Sequence, residues 1–161
     1  MIAKNKYVIL IISALAILMG YFYKNKQDVV WDFASKFLGE SEFAGIASNP
    51  IIDKFLKVFG LSGDEVAWCS AYVGYVMDIN GYDITSQDAS ARSWLKFGTK
   101  TLSPKRGDIV ILWRESIHSW KGHVGFFDRV EGNKVFLLGG NQGNRVSIKH
   151  YTIYRVLTFQ T

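Results

Sequence analysis

Cysteine and proline are scarce in this chain. Of its 161 residues, only Cys69 is a cysteine and only two are prolines. A single cysteine excludes an intrachain disulfide. It therefore excludes the class of small secreted proteins that disulfides stabilise. The sequence has no internal repeat and no low-complexity tract, and its 15% aromatic content argues against disorder. The length leaves room for one domain of about 130 residues behind a short N-terminal extension.

Acidic residues are missing before Asp28, and this gap accounts for most of the net charge of +5. Four lysines, Lys4, Lys6, Lys24 and Lys26, flank one apolar stretch in that region. Setting these four aside leaves 15 basic against 14 acidic residues, so the remainder is close to neutral. It contains no basic stripe with interleaved aromatics, and we therefore expect no nucleic-acid partner.

The apolar stretch runs from Tyr7 to Tyr23 and would form a helix of about 25 Å, slightly shorter than a hydrocarbon core of about 30 Å. We interpret it as one retained transmembrane helix. The alternative is a signal peptide cleaved near Ala14-Leu15-Ala16, which would leave a very short apolar core. The lysines on its two sides barely discriminate orientation. We expect residues 1–27 to be an anchor with its flanks, and residues 28–161 to be a domain outside the cytoplasmic membrane, on the periplasm or wall side.

Helical patterns come first and strand patterns follow. Apolar spacing and capping residues predict four helices, at Asp28–Leu38, from Pro50 with Asn49 as its N-cap to Gly60, from Glu65 or Val66 to Ile79, and at Ser90–Phe97. Strands are predicted at Ile109–Trp113, His123–Val130, Lys134–Leu138, Val146–Ile148 and Ile153–Phe159, with a hairpin turn at Glu131-Gly132-Asn133. This order predicts an α+β fold with segregated layers and an antiparallel sheet.

Cys69 lies near the start of the third predicted helix. The unpaired N–H groups and partial positive charge of a helix start stabilise a thiolate and lower its pKa, and they can hold a developing oxyanion. The alternative is a small buried hydrophobe on the face shared with Val73 and Val76. A lone cysteine at a helix start, with a later histidine and then an asparagine, is the layout of a cysteine nucleophile with its base and orienting group.

Three histidines are candidates for the base. His150 lies in a polar stretch typical of a surface turn, and His118 lies in a loop that could line a groove. His123 begins a strand between Gly122 and Gly125, where small neighbours let another element approach closely. We therefore favour His123 as the base.

The orienting residue depends on strand register. A two-residue loop at Gly132-Asn133 would place Gln142 opposite His123, whereas a slip of one residue would place Asn141 there. The alternative is that the segment from Gly139 to Asn144 is simply a turn-rich loop.

Several segments, taken in order, resemble the NlpC-type and CHAP peptidoglycan hydrolases, which are papain-like cysteine amidases and endopeptidases. Ala67-Trp68-Cys69-Ser70-Ala71-Tyr72 is a near match, without the proline, to a "PWCAAF"-like motif. The ranges Gly122–Phe126 and Leu138–Gln142 match a "GHVGF…LGGNQ"-like motif. The resemblance covers nearly everything after residue 30.

The resemblance implies a papain-like fold, with Cys69 as nucleophile, His123 as base and Asn141 as orienting residue. We further expect Trp68, Trp113 and Gln142 to contact substrate. The implied partner is peptidoglycan, whose stem-peptide amide bonds would be cleaved by an endopeptidase or an N-acetylmuramoyl-L-alanine amidase, bacterial or phage-encoded. No cofactor is implied, and no metal, because His123 lacks the accompanying histidine, aspartate or glutamate ligands that a zinc site requires. The alternatives are a cysteine amidase or acyltransferase acting on a non-wall amide, and a catalytically silent wall-binding module.

Overall fold

The computed structural model describes residues 25–44, 48–63 and 67–161. Three α-helices in these ranges precede the strands: α1 (Lys26–Ser35), α2 (Pro50–Lys57) and α3 (Cys69–Ile79). The predicted α+β order is therefore confirmed. Within the described ranges no helix is long and apolar enough to cross a membrane. The predicted anchor at Tyr7–Tyr23 lies outside them, so it stays a prediction.

Local capping explains where two of the helices begin. The Asn25 side chain accepts a hydrogen bond from the Asp28 N–H at 2.8 Å and so caps α1. Asn49 caps α2 in the same way, with Pro50 at the first helical position, as predicted. The helices are shorter than predicted, because their last residues turn away from α-helical geometry.

Two predicted helices differ from the structure. Ala67 and Trp68 are not helical, so α3 begins at Cys69, later than predicted. The predicted fourth helix is a single 3₁₀ turn, Ser93–Lys96.

Six strands in the described part of the chain form one antiparallel sheet in the order β1-β6-β2-β3-β4-β5. Their bounds are β1 (Lys100–Thr101), β2 (Ile109–Trp113), β3 (Gly122–Glu131), β4 (Lys134–Gly139), β5 (Ser147–Thr152) and β6 (Val156–Gln160). The last two predicted strands are displaced, because a 3₁₀ turn at Ile153–Arg155 separates β5 from β6.

The core lies between the helices and one face of the sheet. Trp68, Tyr72, Phe55 and Phe126 are fully buried there, and their rings pack edge-on or tilted against one another. The Tyr72 hydroxyl donates to the Ala34 carbonyl at 2.9 Å, which ties α3 to α1. This packing sets the first residue of α3 against β3 and thereby positions the candidate site.

Candidate active site

Cys69 is the first residue of α3, and its side chain is only 6% exposed. No side chain caps this helix start, and the backbone N–H groups of Cys69 and Ser70 in its first turn are directed at the Cys69 sulfur. Cys69 nevertheless reaches solvent through a cavity of about 290 Å³. The other residues lining this cavity are Ala67, Ala89, Ser90, Ala91, Arg114, Glu115, Trp120, Lys121 and Gly122.

Burial raises the pKa of the Cys69 thiol above its ordinary value. The backbone N–H groups of Val124 and Ser70 and the charge of Arg114 act in the opposite direction, but burial outweighs them. The sequence-based expectation of a lowered thiol pKa is therefore wrong for the unliganded protein. The helix start was visible in the sequence, whereas the apolar surroundings that bury the sulfur come from distant elements.

His123 is the second residue of β3 and lies opposite Leu112 of β2. It is 5% exposed, and its Nε2 lies 3.2 Å from Oε1 of Gln142. Val124, the next residue along β3, directs its N–H at the Cys69 sulfur. The start of α3 therefore lies against β3 at Val124, the residue next to His123.

The Gln142 side chain fixes the tautomer of His123. Its Nε2 donates to the backbone carbonyls of Gly139, at 3.2 Å, and Ser147, so its Oε1 is the atom turned toward the imidazole. Oε1 also accepts a hydrogen bond from the Tyr151 hydroxyl at 2.9 Å. Because Oε1 can only accept, His123 Nε2 must carry the proton, and Nδ1 keeps its lone pair.

The pKa of His123 is lowered from 6.5 to about 4. Burial is the largest cause, and the charges of Arg114, Arg155 and Lys149 act in the same direction, against the hydrogen bond to Gln142. At neutral pH both the imidazole and the Cys69 thiol are therefore uncharged. The free site holds a neutral proton donor and acceptor rather than a thiolate–imidazolium pair.

The structure places Gln142, and not Asn141, on the His123 ring. The loop Gly132–Asn133 has two residues, with Glu131 opposite Lys134, but a bulge between Phe127 and Arg129 shifts the register by one. The β3–β4 ladder ends before it reaches His123, and Asn141 adopts a left-handed φ of 55° that turns the chain. The role of Asn141 implied by the resemblance stays a prediction: Asn141 lines a cavity beside His123, while Gln142 is the residue that bonds the imidazole.

Neither tryptophan expected to contact substrate lines the cavity at Cys69 or the cavity beside His123. Trp68 is fully buried, and its indole N–H donates to Glu42 Oε1 at 2.8 Å, so it is a core residue. Trp113 is half-buried at the end of β2 and packs edge-on against Tyr154, outside both cavities of the site. Trp120, which is 76% exposed, lines the Cys69 cavity instead.

Sequence reasoning missed Arg114, Tyr151 and Arg155, which all line the cavity beside His123. Arg114 directly follows β2, so the end of a strand that pairs with His123 was the available signal. Tyr151 could be found only once β5 was known to pair with β4. His118 and His150 are exposed and line neither cavity.

The profile of the CHAP domain family matches residues 61–141, a range that includes Cys69, His123 and Asn141. The chain belongs to the CHAP domain family. No curated protein matches it.

Two solved structures are similar in fold. One is described as similar to lipoprotein, NLP/P60 family, from Staphylococcus aureus, with 17% identity, a TM-score of 0.50, and coverage of 86% of this chain and 42% of that one. The other is NlpC1 from Trichomonas vaginalis, with 16% identity, a TM-score of 0.44, and coverage of 86% and 47%. The chain therefore spans less than half the length of either protein. The first likeness supports the NlpC-type, papain-like fold expected from the sequence.

Proposed function

We propose that this protein is a cysteine hydrolase that cleaves amide bonds in the stem peptides of peptidoglycan. The observation that carries the proposal is the hydrogen-bonded pair of His123 and Gln142 next to a nucleophile-bearing helix start. Membership of the CHAP family and the NLP/P60-like fold support a hydrolase associated with peptidoglycan. The experiment described below distinguishes an endopeptidase from an amidase.

The neutral pair suits general-base activation of the thiol. Nδ1 of His123 takes the Cys69 proton as the sulfur attacks the substrate carbonyl carbon, so no separate charged state has to be formed beforehand. The charge that moves to the carbonyl oxygen is stabilised by uncapped N–H groups in the first turn of α3. The imidazolium then gives its proton to the leaving amine, the C–N bond breaks, and a thioester remains on Cys69.

Water completes the cycle. His123 takes a proton from a water molecule that attacks the thioester carbonyl, and the proton returns to the leaving Cys69 sulfur. Throughout, the Gln142 amide holds Nε2–H as a donor, so that Nδ1 is the nitrogen that exchanges protons. Gln142 thus acts as a positioning residue for the base.

The site of action follows from the predicted anchor at Tyr7–Tyr23. Such an anchor would hold the domain on the outer side of the cytoplasmic membrane, within reach of the wall. Fractionation of the expressed protein tests this: a mature protein that starts after residue 16 and is recovered without membranes would contradict it.

The activity test is incubation of purified wall with the full chain in a non-ionic detergent, followed by mass spectrometry of the soluble fragments. We expect stem-peptide fragments whose new termini identify the bond that is cut. Cys69→Ala should release none, whereas His150→Ala, which changes an exposed residue outside both cavities, should behave as the unmodified protein. A folded Cys69→Ala protein with full activity would overturn the mechanism. Wall binding without any fragment release would favour the silent binding module instead.

A further inference from the structure

The cavity beside His123 is strongly cationic. It has a volume of about 250 Å³ and is lined by Arg114, His123, Asn141, Gln142, Gly143, Lys149, Tyr151 and Arg155. Three of these residues carry a full positive charge, and among the described residues no aspartate or glutamate lines it. Arg114 also lines the Cys69 cavity, so it stands where the two cavities meet.

Salt bridges to these three cations are absent from the described ranges, although the charge of Arg114 is among the causes that lower the pKa of Glu115. No ion pair there involves Arg114, Lys149 or Arg155. The neighbouring Cys69 cavity differs, because its Lys121 is paired with Glu115 at 2.5 Å. The lining of the cavity beside His123 therefore carries three positive charges and no negative one, whereas the lining of the Cys69 cavity includes Glu115 beside Arg114 and Lys121.

Arg155 is held in place rather than left to solvent. Its Nε and one terminal nitrogen donate to the Trp113 carbonyl at 3.1 and 2.9 Å, and its guanidinium lies over the Tyr151 ring at 5.4 Å. A backbone carbonyl satisfies hydrogen-bond donors but leaves the positive charge uncompensated. A fixed cation with this anchoring is preorganised for an anion.

The effect of the three cations on the pKa of His123 does not by itself explain why they are there. Burial is the largest cause of the lowered pKa of His123, ahead of each of the three charges. Like charges placed around one small cavity repel one another, and an anionic ligand would relieve that repulsion.

We propose that the cavity beside His123 is a subsite that binds a carboxylate of the substrate while the neighbouring amide carbonyl lies at Cys69. The inference rests on the proposed function and deepens it by naming the substrate class: peptides with a free carboxyl group close to the bond that is cut. Arg114 contacts both cavities and would connect the reacting part of the substrate to its charged part. A substrate with an uncharged carboxamide in place of that carboxylate would leave the three cations without an anionic partner.

The first test compares stem-peptide fragments in which each free carboxyl group is converted in turn to the uncharged carboxamide. We expect one conversion to lower kcat/KM for the full chain by about tenfold, the scale of a charge-assisted hydrogen bond. Lys149→Gln and Arg114→Gln should remove this preference. Lys134→Gln, which changes an exposed lysine on β4 outside the cavity, should keep it. Equal rates on acid and amide peptides by the unmodified protein would overturn the subsite and leave the proposed function standing.

The second test does not require peptidoglycan cleavage. Cys69 is the only thiol in the chain, so its alkylation by anionic iodoacetate and by neutral iodoacetamide can be compared directly by mass spectrometry. We expect the iodoacetate-to-iodoacetamide rate ratio to be about tenfold higher in the folded chain than in the urea-unfolded chain, because a cationic site concentrates anions. The ratio should fall in Arg114→Gln and Lys149→Gln and stay high in Lys134→Gln.

The two tests together separate the possible failures. If no peptide is cut, the proposed function fails, and the alkylation ratio then decides the anion subsite alone. A ratio in the folded chain no higher than in the unfolded chain would overturn the subsite.

Discussion

Acid should destabilise the folded protein through His123. The imidazole has a pKa of about 4 in the folded state against 6.5 ordinarily, so between these values the unfolded chain binds a proton that the folded chain does not. Stability from the neutral, buried ring is therefore fully present above pH 6.5 and is lost as the pH falls toward 4. The full difference of the two pKa values corresponds to about 3.4 kcal/mol.

The expected curve can be worked out for two pH values. Relative to a variant with no ionisable group at position 123, the protein should lose about 2 kcal/mol of stability between pH 7 and pH 5, and about 3 kcal/mol between pH 7 and pH 4. A small domain has roughly 5–15 kcal/mol in total, so the change is measurable.

The assay is urea unfolding followed by tryptophan fluorescence at a series of pH values. His123→Asn is the comparison variant, because its amide keeps a donor for Gln142 but cannot ionise. Carboxylates that titrate in the same range contribute to both proteins and cancel in the difference. His150→Asn serves as the matched control, since His150 is exposed and its removal should leave the pH dependence intact.

A stability difference between the unmodified protein and His123→Asn that does not change with pH would refute this reasoning. It would mean that His123 accepts a proton in the folded state as readily as in the unfolded state. The neutral thiol–imidazole pair would then no longer describe the unliganded protein.

Further predictions concern turnover and packing. Gln142→Ala should lower kcat more than Asn141→Ala in the wall-fragment assay, because only Gln142 bonds the imidazole. Tyr151→Phe should lower kcat only a few-fold, because Gln142 keeps its hydrogen bonds to backbone carbonyls. The acid limb of the pH profile of kcat/KM reports whether the pKa of His123 has changed. For the unmodified protein that limb should lie near pH 4, the pKa of His123, and a limb near 6.5 would contradict it. Gly140→Ala should cost about 1–3 kcal/mol in urea unfolding, because a Cβ there would lie 2.6 Å from the buried Trp68 ring.

Features that depend on neighbouring residues in the chain could be predicted from the sequence. Asn49 and Pro50 marked the start of α2, because capping involves contacts only two or three residues away. The hairpin loop Gly132–Asn133 was likewise visible, since its glycine has the positive φ that such a turn requires. The choice of His123 also rested on local features, namely the small residues on either side.

The identity of the imidazole partner could not be predicted, because strand register does not decide it. The β3–β4 ladder ends at the pair of Phe126 and Leu138, before it reaches His123. Asp128, the extra residue between Phe127 and Arg129, is a buried carboxylate paired with Arg106 at 2.8 Å. That contact joins residues 22 positions apart. The bulge shifts the register by one residue, which would place Asn141 opposite His123 if the ladder continued, yet the side chain that bonds the imidazole is that of Gln142.

The direction of the thiol pKa failed for a related reason. The start of α3 favours a thiolate, but this effect acts over one helical turn, while burial depends on how the whole helix packs against β3. The environment that raises the pKa of Cys69 also lowers that of His123, and both shifts favour the uncharged pair. A negative substrate group in the cation-lined cavity would act against the second shift, because it would offset Arg114, Lys149 and Arg155 at once. Substrate binding would thus make His123 a stronger base at the moment when the thiol proton has to be removed, which links the proposed subsite to the chemistry of the proposed active site.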